Sequence, residues 1–457
     1  FLSNGLFTFD KELRVSMFRL AILLIIAAIT RCTCSPADKR VCRASDGVVR
    51  MSLRRGREPG LRSTVNHACS SSHLPSVSAA SSITSLLQVS SRSGLSARQD
   101  AAPSPVGISG QIQIGTPPQV FDVAIDTGSS NLLLISSSCT TMQCQKHKSY
   151  SALKSSSAES LHVRGSRGAQ IGSHASDIVL VDLATGEGEG NLVLDKVCLG
   201  REGDVCAPTG FVQMSKIPPA SSNEFQYDGI LGIGMPQGSL GDRFNFFANL
   251  VESGLVTRNR FAVWMANDFD EEDSEITFGE IAENRLSSAV VWLPVSRYDR
   301  GMWQATMSDF AVDNTMTHLC GKAGCQAAFD TGTSAIAAPR DMIDTLLEQL
   351  KIQQDCSNYG SLPLLGFVFQ GQIMNVGKSE YVKRVNGRCY HQLLALDLTG
   401  TRKDMILLGD PFLRQYYTIF DRESLKIGLA FSRHRIPPEW NTTSEEQSSL
   451  LMVATSE

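Results

Sequence analysis

After its first thirty residues the sequence holds no apolar run long enough to cross a bilayer, which takes about 20 residues in a helix. A chain that crosses repeatedly on helices is therefore excluded. The one early apolar stretch, "LAILLIIAAIT", is about eleven residues long, follows Met17-Phe18-Arg19 and runs into polar "RCTCS". It reads as a secretory signal region over residues 1–35 with its start at Met17; a retained signal anchor is the alternative. Histidine is scarce, 8 in 457 residues. None sits at ligand spacing beside the close cysteine pairs, which removes the support for zinc. His147, His162 and His174 have no Ser or Cys nucleophile to serve, so Ser–His and Cys–His hydrolysis have no support. Charged residues reach only 19%, with a net charge of −4. No folded nucleic-acid motif accompanies the basic positions, so nucleic acid is not an expected partner. "GEGEG" at 186–190 lacks the Lys-Ser/Thr of a phosphate cradle and reads as a turn. "NDFDEEDSE" at 267–275 lacks the central Gly of a calcium loop and reads as a solvated acidic loop.

What is present is apolar and β-rich. Apolar residues make up 42% of a chain longer than one core usually serves, so two lobes with appendages are expected. Charge is unevenly spread. From Pro36 to Gln99 there are roughly 10 Lys/Arg against roughly 3 Asp/Glu, while the remainder is acidic, so leader and body attract. Residues 36–100 read as a basic, Ser-rich propeptide. Order is expected from about residue 101. Ile112 and Ile114, a Gly-Thr-Pro-Pro turn at 115–118, then Phe121, Val123 and Ile125 give a hairpin with one apolar face. Helical spacing is confined to Asp242–Gly254 and Asp341–Ile352. Twelve cysteines suit an oxidising route, and Cys139–Cys144, Cys198–Cys206, Cys320–Cys325 and Cys356–Cys389 are candidate bridges. Asn441-Thr442-Thr443 is a glycosylation acceptor.

One pattern occurs twice. "FDVAIDTGSSNLLLI" (Phe121 to Ile135) returns as "CQAAFDTGTSAIAAP" (Cys325 to Pro339). Each copy is followed by an apolar run with Gly, "YDGILGIG" (Tyr227 to Gly234) and "MILLGDPFL" (Met405 to Leu413). Paired motifs in the same order imply a duplicated fold with approximate two-fold symmetry. A strand that ends in Asp presents a carboxylate at its tip, and a two-fold axis would bring Asp126 and Asp330 together. Carboxylates about 3 Å apart cannot both ionise, so the pair holds one proton over an acidic range. The ionised member can take a proton from a water, and the protonated member can hydrogen-bond the scissile carbonyl. That chemistry calls for no metal, no cofactor and no covalent intermediate.

These motifs resemble the pepsin/cathepsin D-type family of aspartic endopeptidases. The resemblance spans about 330 residues, near Val106 to near Ser432, through "IGTPPQ", "DTGSSNL", "DGILGIG", "GCQAAFDTGTS" and "LLGDPFLRQYYTIFDRESLKIGLA". It implies an all-β, bilobal pepsin-like fold: two duplicated β-barrel-like lobes, a central cleft and a few short helices. It makes Asp126 and Asp330 the catalytic residues. Thr127 and Thr331 would cross-bond the two loops, Ser129 and Thr333 would bond the outer carboxylate oxygens, and Gly128 and Gly332 would offer N–H groups. It also implies an extended polypeptide substrate and a propeptide that blocks the cleft until acid releases it. The layout is similar as well to some secreted or organellar proteases of unicellular parasites. The chain departs from the family at Leu133, where a Trp is usual. In the flap, within Val163 to Val179, Gly168 and Gly172 match but the usual Tyr falls near Gly165. The segment Val197 to Cys206 is an insertion relative to the plainest members.

The expectation is a monomeric aspartic endopeptidase made as a secreted or acidic-organelle zymogen, without a membrane anchor when mature. Its lobes are 101–288 and 289–432, followed by a polar tail at 433–457. A catalytically silent binding protein on the same scaffold is the rival. It gives no chemical reason to keep two mutually repelling carboxylates.

Overall fold

The computed structural model describes residues 33–34, 41–43, 49–56, 78–79, 107–163, 169–171, 178–183, 186–200, 205–218, 227–396, 405–435 and 451–453. Met17, most of the expected signal and Ser-rich regions, the flap positions Gly165, Gly168 and Gly172, His174, and the acceptor Asn441 lie outside them. For Val163 and His162 only the backbone is described.

The fold is a β-rich pepsin-like one built on a duplicated unit. In the first copy, Ile108–Ile114 pairs antiparallel with Gln119–Asp126, Ile112 lying opposite Phe121. The hairpin's apolar residues Ile112, Ile114, Phe121, Val123 and Ile125 are all buried. Gly229–Gly232 then runs parallel to the strand that ends at Asp126 and antiparallel to Leu132–Ile135. The second copy repeats this plan. Cys325–Phe329 leads into Asp330, Met405–Leu408 runs parallel beside it, and Ile336–Pro339 pairs antiparallel with that strand. A polar side chain at the end of such a buried strand is held by backbone on both sides, so its position is set by the ladder rather than by a loop.

A third sheet lies between and beneath the copies. Its order is Val291–Pro294, Lys426–Phe431, Tyr416–Asp421, Arg260–Trp264, Ser274–Phe278 and Val49–Gly56, each pairing antiparallel with the next. Val49–Gly56 comes from the basic leader. Its Val49, Met51 and Leu53 are fully buried, and Arg54 and Arg55 pair onward with Ser109 and Ile108. In "VRMSLRRG" Val49, Met51 and Leu53 alternate into the core, while Arg50 and Arg54 on the other face are half-buried. Where this sheet meets the second copy, Phe261 stacks on Phe420 and Trp303 meets both rings edge-on, with ring centroids 4.8–5.8 Å apart.

Helices are few. Phe246–Glu252 is capped by the Asn245 side chain, which accepts from the Ala248 N–H, and the chain turns away at Gly254. Arg340–Leu350 buries Ile343, Leu346 and Leu350 along one stripe. Among the described residues, four disulfides, Cys139–Cys144, Cys198–Cys206, Cys320–Cys325 and Cys356–Cys389, staple hairpins and loops. Leu451–Val453 adds a backbone strand beside Gln372–Val376.

Two sequence readings are corrected. The "GEGEG" stretch is not a turn. It begins the strand Gly186–Leu199, held between Ile178–Leu183 on one side and Val205–Lys216 on the other. Gly186, Glu187 and Gly188 pair with Leu183, Asp182 and Val181, and Glu189 and Gly190 pair on both edges, which overrides the turn preference of glycine. The acidic loop is not simply solvated. Asp270 accepts from the Asn267 N–H, from the Arg435 N–H at 2.8 Å and from His434 Nδ1 at 2.7 Å. The His434 ring packs against Trp264, whose indole N–H donates to the Arg433 carbonyl. Arg285 pairs with Glu275 and Glu272 over the same indole. The acidic loop is thus the dock for a basic segment that follows the last strand of the floor sheet.

Candidate active site

Each duplicated strand delivers its Asp to the same place. Asp126 and Asp330 are 2% and 0% exposed, and their carboxyls are neighbours: Asp126 Oδ1 and Asp330 Oδ1 lie 2.6 Å and 3.2 Å from the point a Cβ on Gly332 would occupy. The loops that carry them are alike atom for atom. The Gly128 N–H donates to Asp126 Oδ1 at 2.8 Å, and the Gly332 N–H donates to Asp330 Oδ1 at 2.8 Å. Ser129 Oγ donates to Asp126 Oδ2 at 2.5 Å, and Thr333 Oγ1 donates to Asp330 Oδ2 at 2.7 Å. The local cause is spacing: a tight turn after the strand brings the N–H two residues on and the hydroxyl three residues on back to the carboxylate.

The glycines also allow the approach. A Cβ on Gly128 would lie 2.7 Å from the Asp330 carboxyl carbon, and one on Gly332 would lie 2.6 Å from Asp126 Oδ1. Any larger residue would push the two carboxyls apart. Beneath them, Thr127 and Thr331 bond across the interface through their N–H groups and hydroxyls.

The electrostatics follow from this packing. Burial first, and the neighbouring charge of Asp330 second, push the Asp126 carboxyl well above the usual carboxylate range. The bonds from Ser129 and Gly128 pull the other way and are outweighed. A proton therefore stays with the pair at pH values where an isolated aspartic acid has lost it. One buried, protonated carboxyl beside a second is the arrangement that can both activate a water and polarise a carbonyl.

The structure thus brings together Asp126, Thr127, Gly128, Ser129, Asp330, Thr331, Gly332 and Thr333. His147 and the glycines of 186–190 lie in other parts of the first copy. Leu133 is enclosed in an apolar cluster with Leu161, Val212, Tyr227 and Phe244, against which Val179 and Val181 also pack. An aliphatic group thus fills the position where a Trp is usual. Two further neighbours of the site carried no sequence signal of their own: Ser130, the residue after Ser129, and Trp303, whose carbonyl accepts the Phe329 N–H beside Asp330. Ser130 sits inside a repeated Ser/Thr-Ser motif and so looked equivalent to Ser334.

Comparison with known proteins agrees with this geometry. A family model described as eukaryotic aspartyl protease matches residues 108–432. The chain is 33% identical to pepsin A of Bos taurus over 330 residues, covering 70% of this chain and 83% of that protein. It is 33% identical to pepsin II-2/3 of Oryctolagus cuniculus over 330 residues, 70% of this chain and 80% of that one. Gastricsin of Mus musculus is 30% identical over 331 residues, with coverage of 70% and 80%.

Proposed function

The chain belongs to the eukaryotic aspartyl protease family and is an aspartic endopeptidase, and from that premise we propose that Asp126 and Asp330 are its catalytic dyad, supported by Thr127, Gly128, Ser129, Thr331, Gly332 and Thr333. The observation that carries this is the buried, adjacent pair of carboxyls at the tips of two equivalent strands. The protonated member donates to the scissile carbonyl of an extended polypeptide. The ionised member takes a proton from a water held between the two. The water oxygen attacks the carbonyl carbon, the tetrahedral species collapses, and the leaving amine takes a proton back from the pair. Shared-proton behaviour of this kind is known for aspartic-protease dyads as a class. The N–H groups and hydroxyls of the loops hold both carboxyls in place, which limits the reorganisation needed during the reaction.

The same reading makes the protein a zymogen of the secretory route, active in acid. Signal (1–35), propeptide (36–100), two catalytic lobes (101–288 and 289–432) and tail (433–457) are its parts, and Asn441 is its glycosylation site. Four disulfides suit an oxidising compartment. Among the described residues no helix is long and apolar enough to cross a membrane. The leader strand Val49–Gly56 supports the zymogen reading, because it is already part of the floor sheet and must leave or be cut loose on maturation. The mature enzyme works as a monomer without cofactor.

The test is to incubate the purified chain at acidic pH and follow two readouts: its N-terminal sequence and cleavage of a peptide library. The reading predicts loss of the leader with a new N-terminus near residue 101, and endopeptidase activity blocked by a statine-type transition-state mimic. An unprocessed chain that cleaves as well at neutral pH as in acid would contradict it.

A further inference from the structure

Ser130 follows the residue that bonds Asp126 and is 2% exposed. Its hydroxyl donates to the Met235 carbonyl at 2.7 Å and, more weakly, to the Gly301 carbonyl at 3.1 Å. The Met235 N–H donates to the same Gly301 oxygen at 3.0 Å. Met235 follows the Gly-rich strand of the first copy, whereas Gly301 leads into Gln304–Met307, the strand paired with the one that ends at Asp330. Trp303 closes the path from the other side. Its indole N–H donates to the Ile233 carbonyl at 3.1 Å, and its own carbonyl accepts the Phe329 N–H at 2.9 Å.

The packing leaves no slack here. Gly301 has φ +77°, and a Cβ on it would lie 2.3 Å from Gly238 Cα. A Cβ on Gly238 would lie 2.7 Å from Ser130 Oγ. The matching residue of the second loop, Ser334, is only half-buried. The seam therefore breaks the two-fold symmetry of the site: it fastens the Asp126 loop to the second copy at a place outside the threonine cross-bonds.

We propose that Ser130, together with the Gly238–Gly301 contact it closes, is a positioning element that sets the separation of Asp126 and Asp330. The inference rests on the dyad reading above. Asp330 is the titratable group facing Asp126, and the Ser129 hydroxyl and Gly128 N–H are its other polar neighbours. Loosening the seam lets the two carboxyls drift apart, so Asp126 feels less of its partner's charge and gives up its proton at lower pH. Misplacement of a reacting group by about 1 Å can cost about 100-fold in rate.

The experiment compares the parent with Ser130→Ala and Trp303→Phe, and with Leu346→Ala as a control that weakens a distant core helix. For each, kcat, KM, the pH profile of kcat/KM and Tm are measured. Both seam variants are expected to lose about 10- to 100-fold in kcat, to keep KM within about twofold, and to move the upper pH limb downward. Leu346→Ala is expected to lower Tm and leave the limb in place. If one seam variant fails to fold, the other decides. Seam variants with a lowered Tm but the parent's kcat and pH limb would overturn the inference and leave Ser130 a purely structural residue. Asp330→Asn run alongside separates the two ideas. If it is active, the dyad reading itself has failed; if it is inactive while the seam variants match the parent, only the seam inference has.

Discussion

Thr127 and Thr331 hold each other reciprocally. The Thr127 N–H donates to Thr331 Oγ1 at 3.1 Å, and the Thr331 N–H donates to Thr127 Oγ1 at 3.0 Å. Each hydroxyl then donates across the interface, Thr127 to the Phe329 carbonyl at 2.8 Å and Thr331 to the Ile125 carbonyl at 2.7 Å. Both residues are completely buried, so water cannot replace a lost partner.

Replacing either threonine by valine keeps its shape but strands one N–H and one carbonyl. Each buried orphan costs about 1–3 kcal/mol, so Thr127→Val or Thr331→Val, which strand two each, should lower stability by about 2–6 kcal/mol. The double variant should lose about the sum, because one hydroxyl serves the Thr331 N–H and the Phe329 carbonyl while the other serves the Thr127 N–H and the Ile125 carbonyl. Denaturant unfolding of the three variants checks this, and single variants as stable as the parent would count against reciprocal bonding.

The raised Asp126 carboxyl gives activity an upper limb. The dyad needs its proton, so kcat/KM should hold in acid and fall as pH rises through the Asp126 titration, later than an ordinary carboxylate would allow. Stability moves the same way. A group protonated in the fold but ionised when unfolded contributes fully at low pH, and that contribution is lost as pH rises through the folded value. Tm measured with the pH–rate profile should therefore decline from mild acid toward neutrality, and Asp126→Asn should flatten the decline.

Asp270 has the opposite sign. Burial pushes its carboxyl up, but bonds from His434, Arg435 and Asn267 together outweigh burial and hold it below its usual range. Its contribution is present above about pH 4 and is lost as pH falls through the lowered value. Asp270→Asn should cost about 1–3 kcal/mol at pH 6, and the gap to the parent should close near the acid end of a Tm series. A gap that widens in acid would refute this account of the docked C-terminal segment.

The family and the aspartate loops were legible because their information is local. A strand ending in Asp, an N–H two residues on and a hydroxyl three residues on are all visible in five letters, and the duplication showed that a second copy must meet the first. The close cysteine pairs were legible for the same reason. What stayed hidden depends on distant partners. Asp270 meets His434 across 164 residues of chain, and Ser130 reaches Met235 across 105 and Gly301 across 171. The glycines of 186–190 were misread because local preference favoured a turn, while pairing with Ile178–Leu183, joined at Glu189 and Gly190 by Val205–Lys216, made a strand.

The most direct test of the account is Asp330→Asn, compared with the parent in kcat/KM for a peptide substrate at acidic pH, with Tm taken to verify folding. The substitution keeps the side chain's size and removes its capacity to hold or release the shared proton. The account predicts a folded protein whose kcat/KM is lower by about 10²- to 10⁴-fold or more. A folded variant that turns over substrate at the parent's rate would contradict it.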